Sequence, residues 1–269
     1  MKSTLMMIAT AAGTCAFASA PEVTVNGTVQ DRSRAVKVTY TIAGEPAVVT
    51  PYAETNRGDG VWIDIGAENV TFCAGDINKL VAVGDHEFVW QADKSWPNHK
   101  ITEGNIRVGV KAWSTNAPPD YMVVDLDREN VIRYYASVGQ LPGGLSNRQY
   151  RTRKLVMRKI PAAGVTWLMG LNKAERDRDG LKGNLVVQGE VTFTRDYYMA
   201  IYQLTAYQYW MITGKNEPMN RNLDSLTAWG EPVAETPAQK IDWLVARSIL
   251  DSSADNYKWP AQGHEALRA

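Results

Sequence analysis

Cysteine is almost absent from this chain: Cys15 and Cys73 are the only two. Cys15 falls inside an apolar leader, which leaves Cys73, between Phe72 and Ala74, without an internal partner. That excludes a disulfide framework as the source of stability and makes Cys73 a small apolar core residue rather than a reactive thiol. Histidine is equally scarce. His86, His99 and His264 are scattered without metal-ligand spacing. Net charge is missing too, because 29 basic side chains balance 29 acidic ones. No global field draws the chain to nucleic acid or to an anionic membrane, and the basic run at residues 151–154 reads as a solvated strand flank. Beyond the leader, no apolar run reaches the roughly 20 residues of a transmembrane helix.

Motifs for catalysis are missing as well. No nucleophile-elbow pattern occurs, and Gly58-x-Gly60 and Pro142-Gly143-Gly144 sit at turns rather than in a phosphate-cradling strand–loop–helix. Residues 175–180 (Glu-Arg-Asp-Arg-Asp-Gly) alternate carboxylates ahead of a glycine but lack the later ligands of a calcium loop. They read as a solvated loop with neutralising arginines. No catalytic, cofactor-binding or metal-ligating residue is therefore assigned from the residues themselves.

What the chain does have in quantity is large aromatics: nine tryptophans and twelve tyrosines. Such side chains fill β-rich cores or build protein and glycan contact surfaces. The N-terminus has the pattern of a secretory signal. Lys2 supplies the positive start, residues 5–13 the apolar stretch, and Ala16-Phe17-Ala18 a small-x-small site, so a cut after Ala18 and export to the periplasm or exterior are expected. The alternative, a lipidated Cys15, has a poor run-in in Ala12-Gly13-Thr14.

Residues 36–42 alternate apolar and polar, the period of a half-buried strand, and residues 23–29, 47–53, 61–65, 87–91 and 106–113 behave alike. Six or seven such strands, separated by turns at residues 56–60 and 83–85, predict an antiparallel sandwich of immunoglobulin or fibronectin type over residues 21–117. The polar, proline-bearing stretch 114–120 marks a boundary. Connecting strands follow within residues 118–150, at 121–126 and 131–138, and a third part with α+β character spans 151–269. There, residues 191–194 predict a strand. Thr205 with Gln208 predicts a capping box opening a helix that stops at Gly214. A second helix is predicted over 237–250, with Ile241, Leu244, Val245 and Ile249 on one stripe.

Three stretches carry a family likeness. Ile160-Pro161-Ala162-Ala163-Gly164-Val165-Thr166-Trp167-Leu168-Met169-Gly170 resembles a strand and turn that open the domain of sulfatase-modifying factors, the formylglycine-generating enzymes and their relatives. Residues 191–200 are similar to the family's next strand, and residues 201–210 to its strand-to-helix corner. Residues 22–160, through 85–93 and 121–126, resemble the β-rich region preceding that domain in some secreted bacterial members. The resemblance implies a C-type-lectin-like fold for the carboxy-terminal part. It covers about the first two-fifths of the family's domain.

The departures bear on activity. Gln203 stands where the family has glutamate, and the later hallmark stretches do not occur in residues 1–269. In the family's oxidase branch a cysteine pair in that later half binds copper, and in its iron branch histidines hold the metal. The expectation is therefore an exported relative without catalytic, copper or iron residues in this chain, serving a binding or structural role toward a protein or glycan. The alternatives are an N-terminal fragment of a formylglycine-generating-type oxidase and a carbohydrate-binding or adhesion module. The aromatic run Tyr197, Tyr198, Tyr202, Tyr207, Tyr209 and Trp210 is read as packing rather than as a glycan platform.

Overall fold

Alternation in the sequence becomes two facing sheets in the structure, a computed structural model that describes residues 20–30, 34–56, 58–99, 104–127, 131–178 and 188–213. The described chain is mainly β and built from several antiparallel sheets. The leader, Gly214, residues 237–250 and His264 lie outside the described residues.

The amino-terminal unit contains β1 (Glu22–Gln30), β2 (Ala35–Ala43), β3 (Ala47–Asn56), β4 (Trp62–Asp64), β5 (Cys73–Gly75), β6 (Lys79–Val81), β7 (Gly84–Gln91), the one-turn helix α1 (Ala92–Ser95) and β8 (Ile106–Ser114). One sheet has the order β1-β2-β7-β5. In the other, β3 pairs β8 along one edge and both β4 and β6 along the other. Eight strands replace the expected six or seven, because β5 and β6 have three residues each, too few for alternation to show. Val36, Val38, Tyr40 and Ile42 of β2 point inward with Phe88 and Trp90 of β7, and meet Ala47, Val49, Ala53, Val108 and Val110 of the opposite sheet. Full burial of each large side chain here is worth about 1.5–3 kcal/mol. β5 lies so close to β7 that only glycine ends it: at Gly75 φ is 107° and an added Cβ would stand 2.7 Å from the Glu87 carbonyl oxygen.

The second unit contains β9 (Tyr121–Asp125), β10 (Val131–Tyr135), β11 (Lys154–Ile160), β12 (Thr166–Met169), α2 (Lys173–Arg178), β13 (Gly189–Thr192), β14 (Tyr197–Ala200) and α3 (Ala206–Thr213). Its main sheet has the order β10-β9-β11-β14, with β12 and β13 as a separate hairpin. The strands expected to connect the two parts, β9 and β10, thus supply half of this sheet. Both of its faces are covered. Met122, Val124, Leu155 and Met157 pack under Tyr209 and Ile212 of α3, while Val123 and Val156 on the reverse meet Tyr135, Leu141 and Tyr150.

Some expected boundaries shift. β10 ends at Tyr135, and Val138–Gln140 forms a 3-10 turn instead of continuing the strand. β13 runs from Gly189 to Thr192, earlier than the predicted 191–194. Residues 173–178 form a helix, where a loop was expected. Asn172 caps that helix reciprocally: its Oδ1 accepts from Glu175 N at 3.0 Å, and Glu175 Oε2 accepts from Asn172 N at 2.9 Å. The two units meet along a hydrogen-bonded seam. Asn78 donates its N–H to Val49 O and accepts from Tyr134 N, both at 2.8 Å. Buried Gln140 donates from Nε2 to Pro51 O at 3.0 Å while its Oε1 accepts from Ala136 N at 2.8 Å.

Candidate functional site

The carboxy-terminal end of β11 carries Lys159 on the same face as Leu155 and Met157, just past the apolar patch under α3. Register places Tyr198 of β14 opposite Lys159, and Tyr134 of β10 opposite Met122 of β9. The polar connection leaving β8 folds over this end of the sheet, held by Tyr198 Oη donating to Pro119 O and by Lys159 Nζ donating to Pro118 O at 2.7 Å. The result is a cleft of about 410 Å³. Met122 and Tyr134 line its apolar part, and Asn116, Lys159, Arg195 and Asp196 its polar part. That volume lies within the range of small-ligand pockets, about 300–1,000 Å³.

The charged groups are fixed by specific partners. Lys159 Nζ stands 3.3 Å from Asp120 Oδ1, and its side chain is only 15% exposed. Asp196 Oδ1 accepts from Ala163 N at 3.0 Å, which holds the start of β14 against the turn after β11. Burial raises the Tyr134 hydroxyl above its ordinary pKa and raises that of Tyr198 further, so both are neutral donors at any physiological pH.

A second cavity of about 650 Å³ opens near the seam between the units and is lined by Thr50, Lys111, Trp113 and Gln140 among others. Its polar atoms are already engaged. Trp113 Nε1 donates to Thr50 Oγ1 at 2.9 Å, Lys111 Nζ sits 3.8 Å from the Trp113 ring centroid, and Gln140 is bonded at both ends of its amide. The first cleft is the better candidate because lysine, arginine, aspartate and asparagine side chains line it beside tyrosine rings.

Sequence-predicted positions resolve as follows. Cys73 sits in β5 against the sandwich core, its Sγ 3.5 Å from Val70 O, with burial pushing the thiol up to about 12. A lone, protonated thiol of this kind does not fit a copper site. His86 of β7 lies between Asp76 Oδ2 at 3.0 Å and Ala82 O at 2.8 Å, whereas His99 stacks on Trp96 with ring centroids 4.0 Å apart. Both belong to the sandwich unit, and among the described residues no three His, Cys, Asp or Glu side chains converge as metal ligands. Glu175 is committed to its helix cap and Asp177 to Lys173 at 2.7 Å. Of the aromatic run, Tyr198, Tyr202 and Tyr209 are core or packed against it. Tyr197 instead helps line the cleft. The corner expected at Thr205 is present. Thr205 N donates to Gln208 Oε1 at 3.0 Å and Gln208 N to Thr205 Oγ1 at 3.2 Å.

Sequence reasoning missed the cleft because its walls come from five separated stretches, residues 115–118, 122, 134, 159 and 195–198. The visible signal was Arg195-Asp196-Tyr197-Tyr198, a polar pair beside two tyrosines in an otherwise apolar strand. Compared with known proteins, the chain matches no family model, no curated protein and no solved structure.

Proposed function

We propose that this is an exported binding protein related to sulfatase-modifying factors, with an immunoglobulin- or fibronectin-like sandwich followed by a C-type-lectin-like unit that recognises a ligand and performs no oxidase chemistry. The observation that carries the reading is the cleft at the end of the second sheet, where aromatic surface meets converging lysine, arginine, aspartate and asparagine side chains. The sheet β1-β2-β7-β5 facing a second sheet of β3, β4, β6 and β8, all antiparallel, supports the sandwich reading. The capping-box corner at Thr205 supports the family relation proposed from the sequence. The half-buried, unpaired Cys73, its thiol held protonated, argues for binding rather than thiol chemistry.

Two measurements test the reading together. Expressed with its leader, the chain is expected outside the cytoplasm with Ser19 as its first residue, as read by N-terminal sequencing. Copper-loaded protein incubated with a cysteine-containing sulfatase peptide is expected to leave that cysteine unchanged by mass spectrometry. Formylglycine in the peptide overturns the binding-only reading in favour of the oxidase.

A further inference from the structure

The hairpin of β12 and β13 has an apolar face and no core to bury it in. Register sets Trp167 opposite Val191 and Met169 opposite Gly189, while Thr166 stands opposite Thr192 and Leu168 opposite Glu190. Alternation along each strand therefore puts Val165, Trp167, Met169 and Val191 on one side and Thr166, Leu168, Glu190 and Thr192 on the other. The Phe193 ring centroid lies 6.0 Å from that of Trp167, which adds Phe193 to the first side. Every side chain on that side is apolar, yet Val165, Trp167 and Met169 are 51%, 48% and 56% exposed. The second side is mostly polar, with the Thr166 and Thr192 hydroxyls hydrogen-bonded at 2.7 Å. Among the described residues, no buried core cluster includes a side chain of β12 or β13. A lone two-stranded ribbon is marginal in water, so this one needs an element packed on its apolar face.

The dimensions of the face specify the cover. Two strands about 4.8 Å apart are the width that one helix, about 10 Å across, can shield. From Val165 to Met169 the face is about 13 Å long. The helix predicted over 237–250 carries Ile241, Leu244, Val245 and Ile249 on one stripe, and Ile241 to Ile249 rises about 12 Å. No other stretch of 214–269 sets four branched aliphatic side chains on one helical stripe. Residues 214–236, which join α3 to this segment, can extend about 75 Å, so reach sets no limit. Tethering also gives the segment an effective concentration in the millimolar range, which favours it over a second copy of the chain. We infer that residues 237–250 dock as an amphipathic helix on the apolar face of β12 and β13. The inference is independent of what the cleft binds.

Cysteine cross-linking of the full exported chain tests this, because Cys73, its thiol held protonated, adds little background. Met169→Cys is paired in turn with Ile241→Cys and with Ile249→Cys, since the helix can lie in either direction. One of these pairs is expected to link within a single chain about fivefold more than Met169→Cys paired with Gln239→Cys or Arg247→Cys, which stand off the stripe. Hydrogen exchange gives a second readout without added cysteines. Leu244→Asp is expected to speed exchange of the amides in 166–169 and 189–192 about tenfold, with β2 and β7 unchanged. Trp167→Asp is expected to do the same to the amides of 238–249. Links between two chains overturn the inference in favour of a second copy as the cover. Links indifferent to the stripe, or hairpin amides that exchange equally fast in wild type and Leu244→Asp, overturn it outright.

Discussion

Asp76 shows how much one side chain can organise. It follows Gly75, and its N–H donates to Glu87 O at 2.9 Å, so the tight approach of β5 to β7 delivers its carboxylate to a fixed point. There it meets Lys79 Nζ at 2.7 Å and His86 Nδ1 at 3.0 Å, and those hydrogen bonds hold the carboxyl below the usual carboxylate range. A depressed folded pKa stabilises the protein above the unfolded value of about 3.9 and ceases to do so as pH falls through the folded value. The carboxylate is 38% exposed, so the effect is small. Asp76→Asn is expected to lower the urea midpoint at pH 6 and to narrow its gap to wild type as the pH drops below about 4. A constant gap from pH 6 to pH 3 would show that the ion pairs contribute nothing. At this scale the sequence was uneven as a guide. The fate of Cys73 followed from its scarcity and apolar neighbours, whereas the setting of His86 depends on a carboxylate ten residues earlier that only the turn geometry brings near.

Among the elements, α3 was the most legible, and for a local reason. A capping box links residues three apart, so Thr205 and Gln208 announce it without any tertiary information. What spacing could not announce is the second role of the same two side chains. Thr205 Oγ1 also donates to Arg151 O at 2.8 Å, and Gln208 Nε2 donates to Tyr150 O at 3.0 Å and Lys154 O at 2.7 Å. The cap is therefore the joint that seats α3 on the main sheet. Thr205→Ala is expected to cost more than the roughly 1 kcal/mol of an ordinary cap, and Gln208→Ala, which strands two buried carbonyls, about 1–3 kcal/mol in urea titrations. A loss under 0.5 kcal/mol, about the range of a surface change, would show that the joint is not needed. The longer strands β1, β2, β3, β8 and β9 were readable from alternation or apolar runs. β5 and β6 were not, because three residues carry no period, and residues 175–180 were taken for a loop because Glu175 was read with the charged stretch after it rather than with Asn172 before it.

For the whole molecule, the sequence revealed two compositional halves and hid their union. Residues 114–120 look like a linker, yet Pro118 and Pro119 are hydrogen-bond acceptors for Lys159 and Tyr198, and the connection forms the roof of the cleft. The seam is equally invisible to spacing, since Gln140 reaches a carbonyl 89 residues away. Gln140→Ala leaves the buried Pro51 carbonyl and the Ala136 N–H unpaired, an expected cost of about 1–3 kcal/mol. Calorimetry should show one cooperative transition in wild type and two separated transitions in the variant. Two transitions already in wild type would mean that the units are energetically independent.

Asn78 adds a consequence of its own. Its N–H belongs to the pairing of β3 and its carbonyl to β10, so one peptide segment is shared between the sandwich and the second sheet. A pull on the second sheet is carried into the long β3–β8 ladder through that hydrogen-bonded backbone as well as through the covalent connection after β8. A chain so built shares load between its two sheets at Asn78, whose backbone is bonded to both.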